Sequence, residues 1–272
     1  KIMPELPEVE TVRRTLKNFV LHKTIDSIEV LYPRIIDGDV ETFVTTLIHQ
    51  SICDIDRYGK YLIFILDHDA FISHLRMEGK YNIKMKDEPY DKHDHIIFHM
   101  TDGTDLRYND TRKFGRMQLV GKEHYREYPP LNRLGQEPMD ASFDYIYPRI
   151  HQSHLPIKQL LLDQSIFTGI GNIYANEICF RMGMDPRTRG DRLSKKRIEE
   201  LIQVSSTILK EAIAQGGTTI HSFDANGIHG LFQVTLSVHA QTTCSKCKGP
   251  IKKITIAGRG TYYCPHCQKR RY

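Results

Sequence analysis

The sequence Pro-Glu-Leu-Pro-Glu-Val-Glu, which begins at Pro4, places a potential nucleophile directly beside a carboxylate. If translation starts at Met3 and that methionine is removed, the Pro4 nitrogen becomes a terminal amine with a pKa of about 8. If Lys1 and Ile2 are retained, the same nitrogen is an amide. A terminal amine can attack an aldehyde-like carbon and form an iminium, and Glu5 can move protons at that carbon. The alternative is a simple helix start, where proline and carboxylates are favoured.

Two Cys-x₂-Cys pairs separated by 16 residues form the most specific motif in the chain, and they comprise Cys244, Cys247, Cys264 and Cys267. Four thiolates at this spacing predict a closed, structural zinc site, with coincidental cysteines as the alternative. The segment between the pairs alternates like a β-hairpin, with Gly258-Arg259-Gly260 at the expected tip. Flanking glycines let Arg259 project toward a ligand, although a solvated arginine explains the pattern equally well.

Three further positions have the residue types that contact phosphate. Gly169-Ile170-Gly171-Asn172 precedes a predicted helix, where backbone N–H groups and the Asn172 amide can approach an anion. Lys158 begins the preceding helix, and Lys60 lies in an expected tight turn at 57–60. The alternatives are a glycine turn between helices and ordinary surface lysines.

Two predicted loops place an apolar residue beside an arginine. Met77 follows Arg76, and Phe114 lies two residues after Arg112. Apolar wedges with neighbouring cations can fill a DNA stack from which a base has been removed. Packing of the methionine and phenylalanine in a core is the alternative. His93, within Lys-His-Asp-His, is interpreted as a phosphate contact or a strand-end histidine rather than a metal ligand, because no third ligand is obvious.

These residues must be positioned by a helix, a set of strands and a second, helical region. Apolar residues recur at helical spacing over 9–20. Short β-rich segments follow and predict an antiparallel sandwich, at 25–30, 52–56, 61–66, 71–75, 81–85, 95–100, 105–108 and 117–120. Prolines at 129, 130 and 138 favour a linker. Helices are predicted at 157–164, 172–182 and 194–215, followed by a polar, mobile loop over 218–230.

The composition of the 272 residues is that of a globular protein with a formal charge of +5, which permits a polyanionic partner. No apolar run approaches the roughly 20 residues of a membrane span, and no signal peptide is expected. Four of the six cysteines fall in the two close pairs. This usage favours a metal site in a reducing cytoplasm over a disulfide framework.

Together these motifs resemble the bacterial formamidopyrimidine-DNA glycosylase branch of the formamidopyrimidine/endonuclease VIII family, over nearly the whole chain. The shared motifs are the Pro-Glu-Leu-Pro-Glu-Val-Glu opening, the Gly-Lys turn, Leu-Arg-Met-x-Gly, Lys-His-Asp-His, Arg-Lys-Phe-Gly, Gly-x-Gly-Asn-Ile-Tyr, Gly-Gly-Thr-Thr and the four cysteines. The resemblance implies an α+β fold with DNA between its domains. Its parts are a helix plus antiparallel β-sandwich (3–130), a linker (131–138), a helix–two-turn–helix domain (139–236) and a zinc finger (237–272).

The resemblance also implies a role for each matched residue. Pro4 would attack C1′ of the damaged nucleotide, and Glu5 would transfer protons during glycosidic cleavage. Lys60 would contact phosphate and assist base release, and Arg259 would hold the lesion phosphates. Met77, Arg112 and Phe114 would fill the void left by the base. The backbone-phosphate contacts would be His93, Arg112, Lys158 and Asn172, and the 218–230 loop would grip the lesion.

The function implied is excision of oxidised purines, chiefly 8-oxoguanine and formamidopyrimidines, followed by β,δ-elimination at the abasic site. One structural zinc ion is expected, with no catalytic metal or organic cofactor. The expected partner is damaged duplex DNA, bound by a monomer at the nucleoid of a bacterial cytoplasm. Two alternatives are an endonuclease VIII-type enzyme for oxidised pyrimidines and an inactive DNA-binding relative. Two departures from the family pattern are Ser153, where relatives can carry lysine, and Leu-Ser-Val-His239-Ala before the finger.

Overall fold

The computed structural model describes residues 3–216 and 236–270 of the chain. These residues divide into two compact units, 3–132 and 133–215 with 236–270. Among the described residues, no helix is both long and apolar enough to cross a membrane. The predicted 218–230 loop lies outside the described residues.

The first unit contains two helices and eight strands. Helix α1 (Leu6–Val20) is followed by β1 (Ile25–Val30), a 3₁₀ turn at Pro33–Ile35 and helix α2 (Val40–Leu47). The remaining strands are β2 (Ile52–Tyr58), β3 (Tyr61–Leu66), β4 (Asp69–His74), β5 (Lys80–Met85), β6 (Asp94–Met100), β7 (Thr104–Asn109) and β8 (Arg116–Gly121). They form two antiparallel sheets with orders β1-β6-β7-β5 and β2-β3-β4-β8. All eight predicted strands are present.

An aromatic core joins the two sheets. The ring of Phe71 on β4 stacks on Phe64 of β3 at 4.5 Å and on Phe98 of β6 at 5.4 Å. Helix α1 buries Val9 and Leu16 in the same core. Because α1 is anchored along its length, its first residues have a fixed position on the β2–β3 side of the sandwich.

Helix α2 was not predicted, because its sequence is rich in β-branched residues that favour strands. The Asp39 side chain accepts a hydrogen bond from the Thr42 N–H at 2.7 Å and caps the helix. Phe43 and Leu47 are buried against the sandwich. Capping and burial therefore outweigh the local β propensity.

The second unit is helical and ends in a two-stranded hairpin. Its elements are α3 (Phe143–His151), α4 (Ile157–Leu162), α5 (Asn172–Arg181), α6 (Lys195–Ala214), β9 (Lys252–Ile256) and β10 (Arg259–Tyr263). Three of these helices match the predicted positions. The sequence did not mark α3 as a separate helix, and Pro148 lies inside it. The α+β fold is confirmed.

The tip of the hairpin differs from its prediction. Ala257 and Gly258 form the turn, both with positive φ, and Arg259 is the first residue of β10. Arg259 pairs with Ile256 across the hairpin, and its side chain is exposed. The arginine is thus presented by a strand rather than by a flexible tip.

Candidate active site

The proposed nucleophile and proton-transfer residue lie at the start of α1. Pro4 is buried, and Glu5 is the N-cap residue with 2 % of its surface exposed. Glu5 and Glu8 form a capping box, in which the Glu8 carboxylate accepts from the Glu5 backbone N–H at 2.8 Å. The helix start that was the alternative interpretation is therefore real, and it also fixes the position of Glu5 beside Pro4.

A buried carboxylate on α1 fixes the hairpin that carries Lys60. Burial alone would raise the pKa of Glu10, but hydrogen bonds from Arg13, Arg14 and Arg57 lower it to about 2. Arg57 donates through Nε to Glu10 at 3.0 Å and through Nη1 to the Gly59 carbonyl at 3.2 Å. The residue before Lys60 is thereby tied to the helix that Glu5 caps.

Lys60 completes the two-residue turn between β2 and β3. Tyr58 pairs with Tyr61 across the turn, and Gly59 has a φ of +59°. Glycine adopts this left-handed conformation without the steric cost of a Cβ atom, so it suits the turn. Lys60 is 6 % exposed, so it is not the ordinary surface lysine of the alternative interpretation.

His74 lies between the Lys60 turn and the loop that carries Met77. Its ring contacts Tyr61 edge-on at 4.4 Å, and its Nδ1 accepts from the Arg76 backbone N–H at 2.9 Å. Burial, with the nearby charges of Arg76 and Lys60, lowers the pKa of His74 to about 3. A neutral His74 avoids a third positive charge at this position.

The buried His74 should make the protein sensitive to mild acid. Its pKa is about 6.5 in an unfolded chain and about 3 in the fold, so the unfolded state binds more protons between these values. His74 alone should lower the free energy of unfolding by up to about 1.4 kcal/mol per pH unit within that window. Urea unfolding followed by circular dichroism at pH 7, 6 and 5 measures this slope.

His74→Asn should flatten the slope, because asparagine keeps an acceptor near the Nδ1 position without the proton-binding site. His49→Asn is the matched control, since His49 is exposed with a φ of +66°, a conformation that asparagine tolerates. Glu10, with a pKa of about 2 in the fold, begins to contribute at about pH 5, and it does so equally in wild type and His74→Asn. Equal slopes in wild type and His74→Asn would contradict the assignment.

The two arginine-containing loops of the first unit lie against each other. Arg112 Nη1 donates to Met77 Sδ at 3.0 Å, and its guanidinium lies 4.6 Å from the centre of the Phe114 ring. Phe114 is 48 % exposed and Met77 is half-buried. Phe114 is therefore not a core residue, and the structure brings together the three residues expected to fill a DNA void.

His93 is half-buried directly before β6, and its backbone N–H donates to the Asp91 carboxylate at 2.8 Å. The adjacent Asp94 accepts from Asn109 at 2.9 Å, and His95 bonds the Asp110 carbonyl oxygen at 2.8 Å. In 3–216 and 236–270, the only group of three or more potential metal ligands is the cysteine cluster. Metal binding by the Lys-His-Asp-His segment thus has no structural support.

In the second unit, Lys158 and Asn172 both converge on the strand that begins with Arg259. The Lys158 ammonium is fully buried and donates to Gly260 O at 3.1 Å, Thr261 Oγ1 at 2.7 Å and Asn172 Oδ1 at 2.7 Å. Asn172 Nδ2 also donates to Gly260 O at 3.0 Å. Lys158 is thus not a solvated surface lysine, and both side chains orient the residue that follows Arg259.

The four cysteine sulfurs form a compact cluster, with all ligand atoms within 4.8 Å of one another. Cys244 and Cys267 sulfurs are 3.8 Å apart, and Cys247 and Cys264 sulfurs are 3.5 Å apart. A tetrahedral zinc with Zn–S bonds of about 2.3 Å requires sulfur separations near these values. The residues fit a structural zinc ion, which leaves no open position for catalysis.

Removal of zinc should disable the finger before it affects the sandwich. Metal analysis should find about one zinc per chain, and chelation should expose four thiols to a thiol reagent and abolish DNA binding. Cys247→Ser should lower the zinc content, whereas Cys53→Ser, which alters a half-buried cysteine of β2, should not. Full DNA binding by a zinc-free preparation would show that the finger is not needed.

Sequence reasoning missed several residues that organise the site. Glu177 accepts from the backbone N–H groups of Ser237, Val238 and His239, at 2.8–3.0 Å. The departure at His239 is a packing feature, because this side chain is buried and bonds Asn176 at 2.7 Å. Asp110 and Tyr108 were also missed, although an aspartate between Asn109 and Thr111 is a typical turn signal.

Three family models match the chain in order. The formamidopyrimidine-DNA glycosylase N-terminal domain matches residues 3–117, the formamidopyrimidine-DNA glycosylase H2TH domain matches 134–224, and a zinc finger found in FPG and IleRS matches 243–270. Formamidopyrimidine-DNA glycosylases of Lactobacillus helveticus and Bacillus subtilis are 46% and 45% identical to the chain. They cover 98% and 99% of it, and the alignments span 99% and 100% of their own lengths.

Solved structures of a relative from Lactococcus lactis have the same fold. One is a complex of a mutant of that protein with a Fapy-dG containing DNA, and another is a complex of the protein with an abasic site containing DNA. Both superpose on this chain with a TM-score of 0.92. Each is 38% identical, and the match covers 98% of this chain and 100% of theirs.

Proposed function

The chain belongs to the formamidopyrimidine-DNA glycosylase family, and from this premise we propose that it excises oxidised purines from duplex DNA and then cuts the abasic strand. The enzyme is a DNA-repair glycosylase with a zinc finger. Formamidopyrimidines and 8-oxoguanine are its proposed substrates, and bacterial cytoplasm at the nucleoid is its proposed location. The proposed domains are 3–130, 139–236 and 237–272.

One observation carries the proposal, namely the connection between α1 and the Lys60 turn through Glu10 and Arg57. A binding module has no need to fix a buried carboxylate, a buried proline and a buried lysine on adjoining elements. An enzyme that forms an iminium needs a nucleophile, a proton-transfer group and a cation that assists base release. Pro4, Glu5 and Lys60 supply these three groups.

Four residues, Pro4, Glu5, Lys60 and Arg259, are assigned to the steps of the reaction, and none of these steps uses a metal ion. The Pro4 amine attacks C1′, and the bond from C1′ to the base breaks. The C1′–O4′ bond of the sugar then opens to give an iminium that joins protein and DNA, and Glu5 transfers the protons that these two steps require. Elimination of the 3′ and then the 5′ phosphate releases the strand ends, and hydrolysis of the iminium returns the free amine. Arg259 orients the lesion phosphates, and Lys60 supports both base release and elimination.

The exposed group of Met77, Arg112 and Phe114 supports base extrusion, and its Leu-Arg-Met and Arg-Lys-Phe sequence contexts favour the purine branch. Met77, Arg112 and Phe114 form one contiguous group on the first unit, as base extrusion requires. His93, Lys158 and Asn172 complete the proposed set of residues that position the DNA backbone. For Lys158 and Asn172 this role is exerted through Gly260, which both side chains hold.

Incubation of the protein with duplexes that carry 8-oxoguanine or thymine glycol tests the proposal. Cleavage of the 8-oxoguanine strand, with phosphates at both ends of a one-nucleotide gap, is the expected result. Preferential cleavage at thymine glycol would favour the endonuclease VIII-type alternative. Binding without cleavage of either duplex, by a chain that begins at Pro4, would favour an inactive relative.

A further inference from the structure

Asp110 is a buried carboxylate that organises the loop containing Arg112 and Phe114. It follows β7 directly and has no exposed surface. Its Oδ1 accepts from the Arg112 backbone N–H at 2.9 Å. Its Oδ2 accepts from the backbone N–H groups of Phe114 and Gly115, also at 2.9 Å. One ionisable side chain thus binds three of the five backbone N–H groups over 111–115.

Asp110 is itself fixed from the sheet. Its backbone N–H donates to the His93 carbonyl at 3.0 Å, and its carbonyl accepts from the His95 ring at 2.8 Å. The Tyr108 hydroxyl lies 3.4 Å from Oδ2. Burial, with the neighbouring Asp110, raises the pKa of Tyr108, so its hydroxyl stays a donor at any working pH.

Tyr108 connects this loop to the one that carries Met77. Its side chain is fully buried, and its hydroxyl lies against the backbone of both Gly79 and Gly115. A Cβ atom at either glycine would overlap that hydroxyl. Each glycine belongs to one of the two loops, so a single tyrosine sets the separation between them.

The side chains at the surface complete the contact between the loops. The Thr111 hydroxyl bonds the Glu78 carboxylate, and Arg112 contacts both Met77 and the Phe114 ring. A 48 % exposed phenylalanine on an irregular loop has little packing of its own to fix it. Its backbone must therefore be fixed from below if it is to enter DNA in one conformation.

We propose that Asp110 and Tyr108 are positioning residues for lesion recognition, which hold the Met77 loop and the Phe114 loop ready to fill the void in the DNA. The inference rests on the proposed function, because it assigns these residues to the step that extrudes the base. Neither residue is assigned to the covalent chemistry. Their loss should therefore affect base excision much more than cleavage at a pre-formed abasic site.

The first experiment measures the loop without DNA. Asp110→Asn keeps the side-chain shape, but its NH₂ group must face at least one backbone N–H that the carboxylate accepted. Hydrogen exchange of the Arg112, Phe114 and Gly115 amides should become about tenfold faster, while β3 amides are unchanged. Unchanged exchange at these three amides would overturn the inference, whatever the activity of the protein.

The second experiment compares two substrates, and every protein is prepared as a chain that begins at Pro4 so that it can be trapped. Asp110→Asn should lower excision of 8-oxoguanine by about 100-fold, as expected for a misplaced recognition group, and borohydride trapping on a pre-formed abasic duplex should change little. Phe114→Ala should show the same selectivity. Tyr108→Phe removes only the hydroxyl between the two glycines and should show a weaker form of the same selectivity. This second variant tests the inference if Asp110→Asn does not fold.

Asp105→Asn is the matched control, because Asp105 is an equally buried carboxylate of β7 that binds Arg107 and His99 instead of a loop. It should lower the melting temperature but preserve the ratio of excision to trapping. The same selective loss in Asp105→Asn, or an equal loss on both substrates in Asp110→Asn, would overturn the inference. A wild type without excision would refute the proposed function separately, and the exchange experiment would still decide whether Asp110 holds the loop.

Discussion

A Glu5→Gln variant should lose excision of 8-oxoguanine by about 100- to 10,000-fold, the range typical of a lost general acid or base. Glu5 caps α1 directly after Pro4, and only 2 % of it is exposed. Glutamine retains an oxygen that can accept the capping hydrogen bond, so the helix start should persist. The variant removes the transferable proton and leaves the Pro4 nitrogen in place.

The same variant should still react with a pre-formed abasic site, because the base has already left. The measurement is a pair of single-turnover time courses, on 8-oxoguanine duplex and on abasic duplex, with circular dichroism to verify the fold. A loss of similar size on both substrates would assign Glu5 to the covalent step or to the helix cap. An unchanged excision rate would remove Glu5 from the chemistry.

Strand positions could be predicted because each strand of the sandwich has a short β-rich sequence bounded by a turn. The Gly59-Lys60 and Asp102-Gly103 turns mark their hairpins by residue type alone. The cysteine spacing likewise predicted the cluster that the structure forms. These features depend on residues that are near one another in sequence, or on a spacing that few other folds need.

The remaining features depend on contacts between distant residues. Lys158 has the sequence context of a surface lysine, and its burial results from three acceptors, two of which lie about a hundred residues later. Arg57 resembles any turn arginine until Glu10 is placed beside it. The roles of Asp110 and Tyr108 depend on the Met77 loop and the Phe114 loop both packing against the Tyr108 hydroxyl. The periodicity of the sequence does not predict such a contact.

Helix α2 shows the opposite situation, in which local sequence favours the wrong element. Its β-branched residues predict a strand, yet the cap at Asp39 and the burial of Phe43 and Leu47 select a helix. A prediction from local propensity is thus wrong where residues are present for tertiary packing. Some tertiary contacts also position functional groups, as the Glu10–Arg57 contact does for the Lys60 turn. That contribution to function cannot be predicted from local sequence either.

The covalent step should depend entirely on whether the Pro4 nitrogen is a free amine. With Met3 attached, this nitrogen is an amide whose lone pair is delocalised into the Met3 carbonyl, so it cannot form an iminium. The 272-residue chain with its first three residues intact should bind lesion DNA but give no adduct under borohydride. A chain that begins at Pro4 should be trapped readily on the same abasic duplex.

Equal DNA binding by the two forms is the control, because the Glu10–Arg57–Gly59 bonds and the Arg112–Phe114 contact are made by residues that both forms contain. Mass spectrometry of each preparation before trapping establishes which terminus is present. If the chain that retains Met3 is trapped as efficiently as the chain that begins at Pro4, Pro4 is not the nucleophile. The amine of Lys60, buried in the turn that Arg57 fixes to α1, would then be the group to replace.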